Sequence, residues 1–140
     1  MSDPRYTVIA VATAEVGTKD PIKYWLDALG SVPEHNLAWC GLFALWCLRQ
    51  AELTDWTWAI GKGFLYRLHR TSDPLVGDLV YFDKPYQHHA ILRDIIDGDT
   101  VPLIQGNYGV PGHVAESTCS LSAKNPVFFS IQSLIDEANP

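Results

Sequence analysis

The chain has 140 residues, with 10 lysines and arginines against 16 aspartates and glutamates and a net charge of −6. That length suits one domain whose core needs no staples, and an acid excess without a Lys/Arg cluster argues against a nucleic-acid partner. Cys40, Cys47 and Cys119 stand at unpatterned spacings, so we expect reduced thiols, with neither a disulfide framework nor a zinc knuckle. The start Met1-Ser2-Asp3-Pro4-Arg5-Tyr6 lacks a basic region followed by an apolar run, and no apolar stretch is long enough to cross a membrane. We therefore expect a chain made in the cytoplasm without a signal peptide, which other machinery delivers if its target lies outside.

Asp3-Pro4 and Asp20-Pro21 each place a capping carboxylate beside a proline preorganised for a first helical turn, and Gly17 and Gly30 stand where such helices should stop. These signals predict helices over residues 4–16 and 22–29. The first carries Val8, Ile9, Val11, Ala12 and Val16, a β-branched set that also suits a strand, and the caps decide for helix. Asn36 can then N-cap a third helix, and from Leu37 to Leu48 no residue is charged or strongly polar. Such a helix is apolar all round and belongs at the centre of a fold. Cys40 falls in its first turn, where unpaired N–H groups and the positive dipole end favour a thiolate. A nucleophile would stand there, although most free cysteines are simply small buried hydrophobes. Residues 54–72, with Trp56, Trp58, Ile60, Phe64, Leu65 and Leu68, read as irregular or helical cover for a core face.

From Gly77 the period changes. Residues 78–83, 88–96, 100–105, 114–121 and 127–131 are separated by Gly, Pro, Asn and Asp and predict strands, with 132–140 a short closing helix. Helices first and strands second imply an α+β domain over residues 1–140, an antiparallel sheet of about five strands packed on amino-terminal helices. Asp97-Gly98 is a strong hairpin signal. With those two residues as the turn, Ile96 faces Asp99, Ala90 faces Gln105 and His88 faces Asn107. His88 and Asn107 then share a sheet face with the small Ala90, which would let the Cys40 helix approach, while His89 and Ile91 point away. An amide on one ring nitrogen leaves the other free to take a proton from a thiol, the Cys-His-Asn form of nucleophile, base and orienter. A three-residue loop or a bulge near Pro102 would reverse the parity and bring His89 forward. Otherwise His88 and His89 are ordinary loop-end histidines and Gly106-Asn107 a turn. Adjacent strand residues point apart, which disfavours a metal shared by His88, His89 and a cysteine. Neither metal nor cofactor is expected.

Trp39-Cys40 opening a buried helix, then Gly77-Asp78-Leu79-Val80-Tyr81-Phe82, then His88-His89-Ala90-Ile91-Leu92, then Gln105-Gly106-Asn107 resemble the ordered motifs of the CHAP and NlpC/P60 papain-like superfamily. Ala12-Thr13-Ala14-Glu15-Val16-Gly17 resembles its leading helix. The resemblance implies a papain-like fold with Cys40 as nucleophile, His88 as general base and Asn107 as orienter, and Gln105 and Trp39 as accessories. It departs from the family in the second histidine, His89, and in Gln105 where some relatives have Glu. His113, in Gly112-His113-Val114-Ala115, ranks below His88 because no Gly-Asp strand immediately precedes it and no Gly-Asn end follows. The implied activity is hydrolysis of an amide in bacterial peptidoglycan, by an endopeptidase or an N-acetylmuramoyl-L-alanine amidase. The implied setting is a monomer acting in the periplasm or cell wall, as a phage lysin or as an antibacterial effector injected by a system such as type VI secretion, with an immunity protein as partner in the second case. An acyltransferase on the same scaffold and a non-enzymatic domain that binds wall peptides or a partner are the competing readings.

Overall fold

A computed structural model describes residues 3–34, 37–58 and 63–139 of the chain. Helix α1 (Pro4–Ala14) begins as its cap signals predict, with the Asp3 carboxylate accepting from the Arg5 N–H. Helix α2 (Ile22–Ala28) follows, its Ile22 N–H bonded to Asp20. Helix α3 (Cys40–Gln50) is the element the others surround: every residue from Cys40 to Leu48 is buried. Each large apolar side chain so buried contributes about 1.5–3 kcal/mol, which is why this helix tolerates no polar face. Asn36 lies outside the described residues, and the capping position expected for it belongs to Trp39, which makes no side-chain cap bond. Cys40 is consequently the first helical residue. At the other end Arg49 donates to the Asp27 carboxylate and backbone carbonyl, and to the carbonyls of Asp55 and Trp56. One guanidinium thus ties α3 to the end of α2 and to the segment that leads to Trp58.

The sheet holds strands β1 (His69–Thr71), β2 (Leu79–Phe82), β3 (His88–Leu92), β4 (Thr100–Tyr108), β5 (His113–Ser120) and β6 (Val127–Ser130), in the order β1-β6-β2-β3-β4-β5 with every neighbouring pair antiparallel. The fold class is α+β, as the order of elements predicts. Two short elements escape the sequence patterns: β1, too brief to alternate, and α4 (Leu121–Lys124), a single turn capped by Ser120. Helix α5 (Gln132–Ala138) closes the chain. Strand β3 ends at Leu92, four residues before the expected end at 96.

Both faces of the sheet are covered. Leu79, Tyr81, Ile91, Ile104 and Phe129 face the helices, whereas Val80, Ala90, Leu92, Val101, Leu103 and Phe128 build a second core on the far side, closed by Phe82, Ile96, Cys119 and Leu121. Helix α3 lies against β3 and β4, and Gly106 lets it do so. A Cβ at that position would stand 2.6 Å from Phe43 Cβ and 2.8 Å from the Trp39 ring. The Gly-Asp pair before β2 is an anchor: Asp78, buried, accepts from Arg5 at 2.7 Å, from the Leu75 N–H at 2.8 Å and from the Ile131 N–H at 3.0 Å. Arg5 in turn reaches the Val76 carbonyl and Gln132, so one buried ion pair joins α1, the start of β2 and the start of α5. Among the described residues no helix is long and apolar enough to cross a membrane.

Candidate active site

The thiol of Cys40 points from the first turn of α3 onto β3, where its Sγ lies 3.8 Å from Nδ1 of His89. The partner is His89 and not the expected His88. Ile91 pairs with Ile104 and Leu92 with Leu103, the register that sets Ala90 opposite Gln105 as expected. The turn itself is Gly98-Asp99, bracketed by mutual backbone bonds between Asp97 and Thr100. Arg93 to Ile96 then oppose only Val101 and Pro102, an excess of two residues, and an even excess leaves parity unchanged. His88 does share a face with Gln105, as expected. Helix α3 covers the face opposite to the expected one, the face that carries His89 and Ile91.

His88 therefore stands on the far side of the sheet. Its Nε2–H donates to Gln105 Oε1, and Gln105 Nε2 donates to the hydroxyl of Ser117. Burial pulls the ring below the ordinary histidine range; the Gln105 bond opposes that shift and the Lys124 charge adds to it. This chain of amide and hydroxyl runs from buried His88 to partly exposed Ser117 on the face away from the thiol. Asn107 is not the orienter either. The bulge between Gln105 and Tyr108 places it at a positive φ of 55°, with its Oδ1 only 2.1 Å from where a Gly112 Cβ would stand. On β4 the residue that would continue the register opposite His89 is Gly106, which has no side chain to offer. Trp39, expected as an accessory, packs under the site: its ring lies 5.8 Å from that of Tyr24 and against Gly106. His113 is on β5, its Nδ1 bonded to the Pro111 carbonyl.

Around the thiol and imidazole opens a chamber of about 220 Å³ lined by Trp25, Leu37, Ala38, Gly41, Trp58 and Gln87. Gly41 keeps it open, because a Cβ there would meet the Trp58 ring at 2.9 Å and His89 Nδ1 at 3.1 Å. A second chamber of about 640 Å³ shares Trp25, Leu37 and Ala38 with the first and is bounded by Lys19, Asp20, Asn107 and Gly112. Asn107 thus borders the larger chamber and not the Cys40–His89 pair. The glycines are the signal that could have found this arrangement: Gly41 beside Cys40 and Gly106 on β4 mark where helix and sheet meet most closely.

Burial is the largest influence on Cys40 and pushes its thiol above the usual range, against the backbone N–H groups of His89, Gly41 and Cys40 itself, which favour the thiolate. The helix terminus helps the anion, as the sequence suggests, but desolvation outweighs it. Cys47 is fully buried and Cys119 half-buried, both with thiols raised chiefly by burial. Among the described residues no three His, Cys, Asp or Glu side chains converge as a metal site would require. No family model, curated protein or solved structure matches the chain.

Proposed function

We propose that this protein is a papain-like cysteine hydrolase that cleaves an amide bond of bacterial peptidoglycan, with Cys40 as nucleophile and His89 as general base. The observation that carries the reading is the approach of Cys40 Sγ to His89 Nδ1 in the wall of a small chamber. The resemblance of the ordered motifs supplies the substrate class, with the base moved by one residue. Nδ1 takes the Sγ–H proton as sulfur attacks the carbonyl carbon, and the Cys40 N–H, at the first helical position, supports the oxyanion. The C–N bond then breaks, the imidazolium protonates the departing amine, and an acyl-thioester remains on Cys40. Water attacks that ester while His89 takes its proton, releasing the carboxylic acid and restoring the thiol. A gap of 3.8 Å is long for a formed hydrogen bond, as free sites often are before substrate tightens them.

The indole walls of the small chamber favour a second reading, transfer of the acyl group to an amine where water is scarce. Purified wall sacculi distinguish the two: hydrolysis lowers turbidity and frees amines in equal number to new carboxylates, while transfer consumes one amine for each it frees. Muropeptides of unchanged mass and linkage, with turbidity and amine count also unchanged, leave the binding-domain reading and refute both enzymatic ones.

A further inference from the structure

We infer that Phe64 and Tyr81 are positioning residues that hold the His89 ring toward Cys40 by packing against it, one nearly parallel to the imidazole and the other edge-on. The inference rests on the proposed pairing of Cys40 with His89. Phe64 lies nearly parallel to the imidazole, with ring centroids 6.0 Å apart and planes 23° from each other, and Tyr81 meets it edge-on at 5.1 Å and 69°. Tyr81 is also the residue directly opposite His89 across the β2–β3 ladder, so its backbone is locked to the one it braces. Phe64 is 2 % exposed and Tyr81 5 %, so both rings belong to the core that surrounds the imidazole. Aromatic pairs prefer such stacked and T-shaped arrangements and fix the relative orientation of their planes. An orienting side chain from β4 is sterically barred, because any Cβ at Gly106 collides with Phe43 and Trp39. Phe64 and Tyr81 thus constrain the plane of the imidazole, and Gly41 leaves the space in which it meets sulfur.

The test needs no substrate. Iodoacetamide alkylation of Cys40 is followed against pH in the full chain, with the modified residue located by peptide mass spectrometry. Burial holds the thiol up, so a His89 that accepts its proton should raise the rate of reaction near neutral pH. His89→Ala should confine reaction to the alkaline limb. Phe64→Leu and Tyr81→Leu should each lower the neutral-pH rate about 10-fold or more while keeping that limb, since small misplacements of a reacting group carry penalties of up to about 10²-fold. Tyr81→Phe, which retains the ring, should recover most of the loss. Neutral-pH rates in the leucine variants within about twofold of wild type, with His89→Ala still impaired, overturn the clamp and keep the pair. An unchanged profile in His89→Ala removes the pair and the clamp with it, and Tyr81→Phe as slow as Tyr81→Leu moves the role from ring to hydroxyl and overturns packing as the cause. Should the leucine variants not fold, nuclear Overhauser contacts in the wild-type protein decide. Cross-peaks from the His89 ring protons to both aromatic rings are expected, and their absence refutes the arrangement.

Discussion

Two adjacent histidines, identical in chemistry, have opposite environments because a strand turns successive side chains to opposite faces. His89 meets a thiol and His88 an amide. Cys40→Ala should therefore abolish wall hydrolysis, and His89→Ala should lower the chemical step at least about 10²-fold, the scale of a lost general base. His88→Ala should retain the rate per folded molecule. Initial rates on sacculi, normalised to folded protein by circular dichroism, check all three, and a defect in His88→Ala as large as in His89→Ala would refute the assignment. His88 has a separate signature in stability. Its folded pKa is lowered, mainly by burial, so the unfolded chain takes up the proton more readily. The stabilisation is complete above the unfolded value of about 6.5 and is lost as pH falls from there through the lowered folded value. His88→Asn removes the titrating ring, so its urea midpoints at about pH 7 and about pH 5 should lie closer together than those of wild type. Equal spacing in the two proteins would show that His88 is not held neutral by the fold.

At the scale of elements, two contacts set where the site can form. The first is the buried Arg5–Asp78 pair, whose members are 6 % and 1 % exposed and which joins α1, β2 and α5. Removing one partner strands the other charge away from water, so Asp78→Ala should cost about 3–5 kcal/mol in urea denaturation. A loss under about 1 kcal/mol would mean that the pair is screened as surface pairs are. The second is the meeting of α3 with β4 at Gly106. Gly106→Ala inserts a methyl group where Phe43 and Trp39 already stand, an overpacking that should cost about 1–3 kcal/mol. It should also slow Cys40 alkylation at neutral pH, because the helix that carries the thiol must shift. Wild-type stability and reactivity in this variant would show that the contact yields freely.

The whole molecule places its thiol where helices and sheet meet, in a small chamber that shares Trp25, Leu37 and Ala38 with a larger one. Substrate binding along both chambers would set the scissile carbonyl at Cys40 with the remainder of the peptide reaching toward Asn107 and Lys19. A thiol and an imidazole suffice for the chemistry proposed, so treatment with a thiol alkylator should end wall hydrolysis while excess EDTA should leave it intact. Loss of activity with EDTA, restored by zinc, would replace the thiol mechanism with a hydrolytic metal site.

The longer elements and their order, though not β1 or α4, were legible from the sequence, because caps, breakers and hydrophobic periods are local signals: Asp3-Pro4 and α1, the unbroken apolar run and α3, the Gly-Asp start of β2. The parity of the β3–β4 ladder was legible too, since it depends on counting along the chain. Which face of that ladder the cysteine helix covers was not. All five residues of β3 are buried, and apolar side chains lie on both of its sides, so no alternation of polarity marks the inner face. That choice was made in three dimensions, by packing α3 into the space that Gly41 and Gly106 leave empty, and it exchanged His88 for His89 beside the thiol.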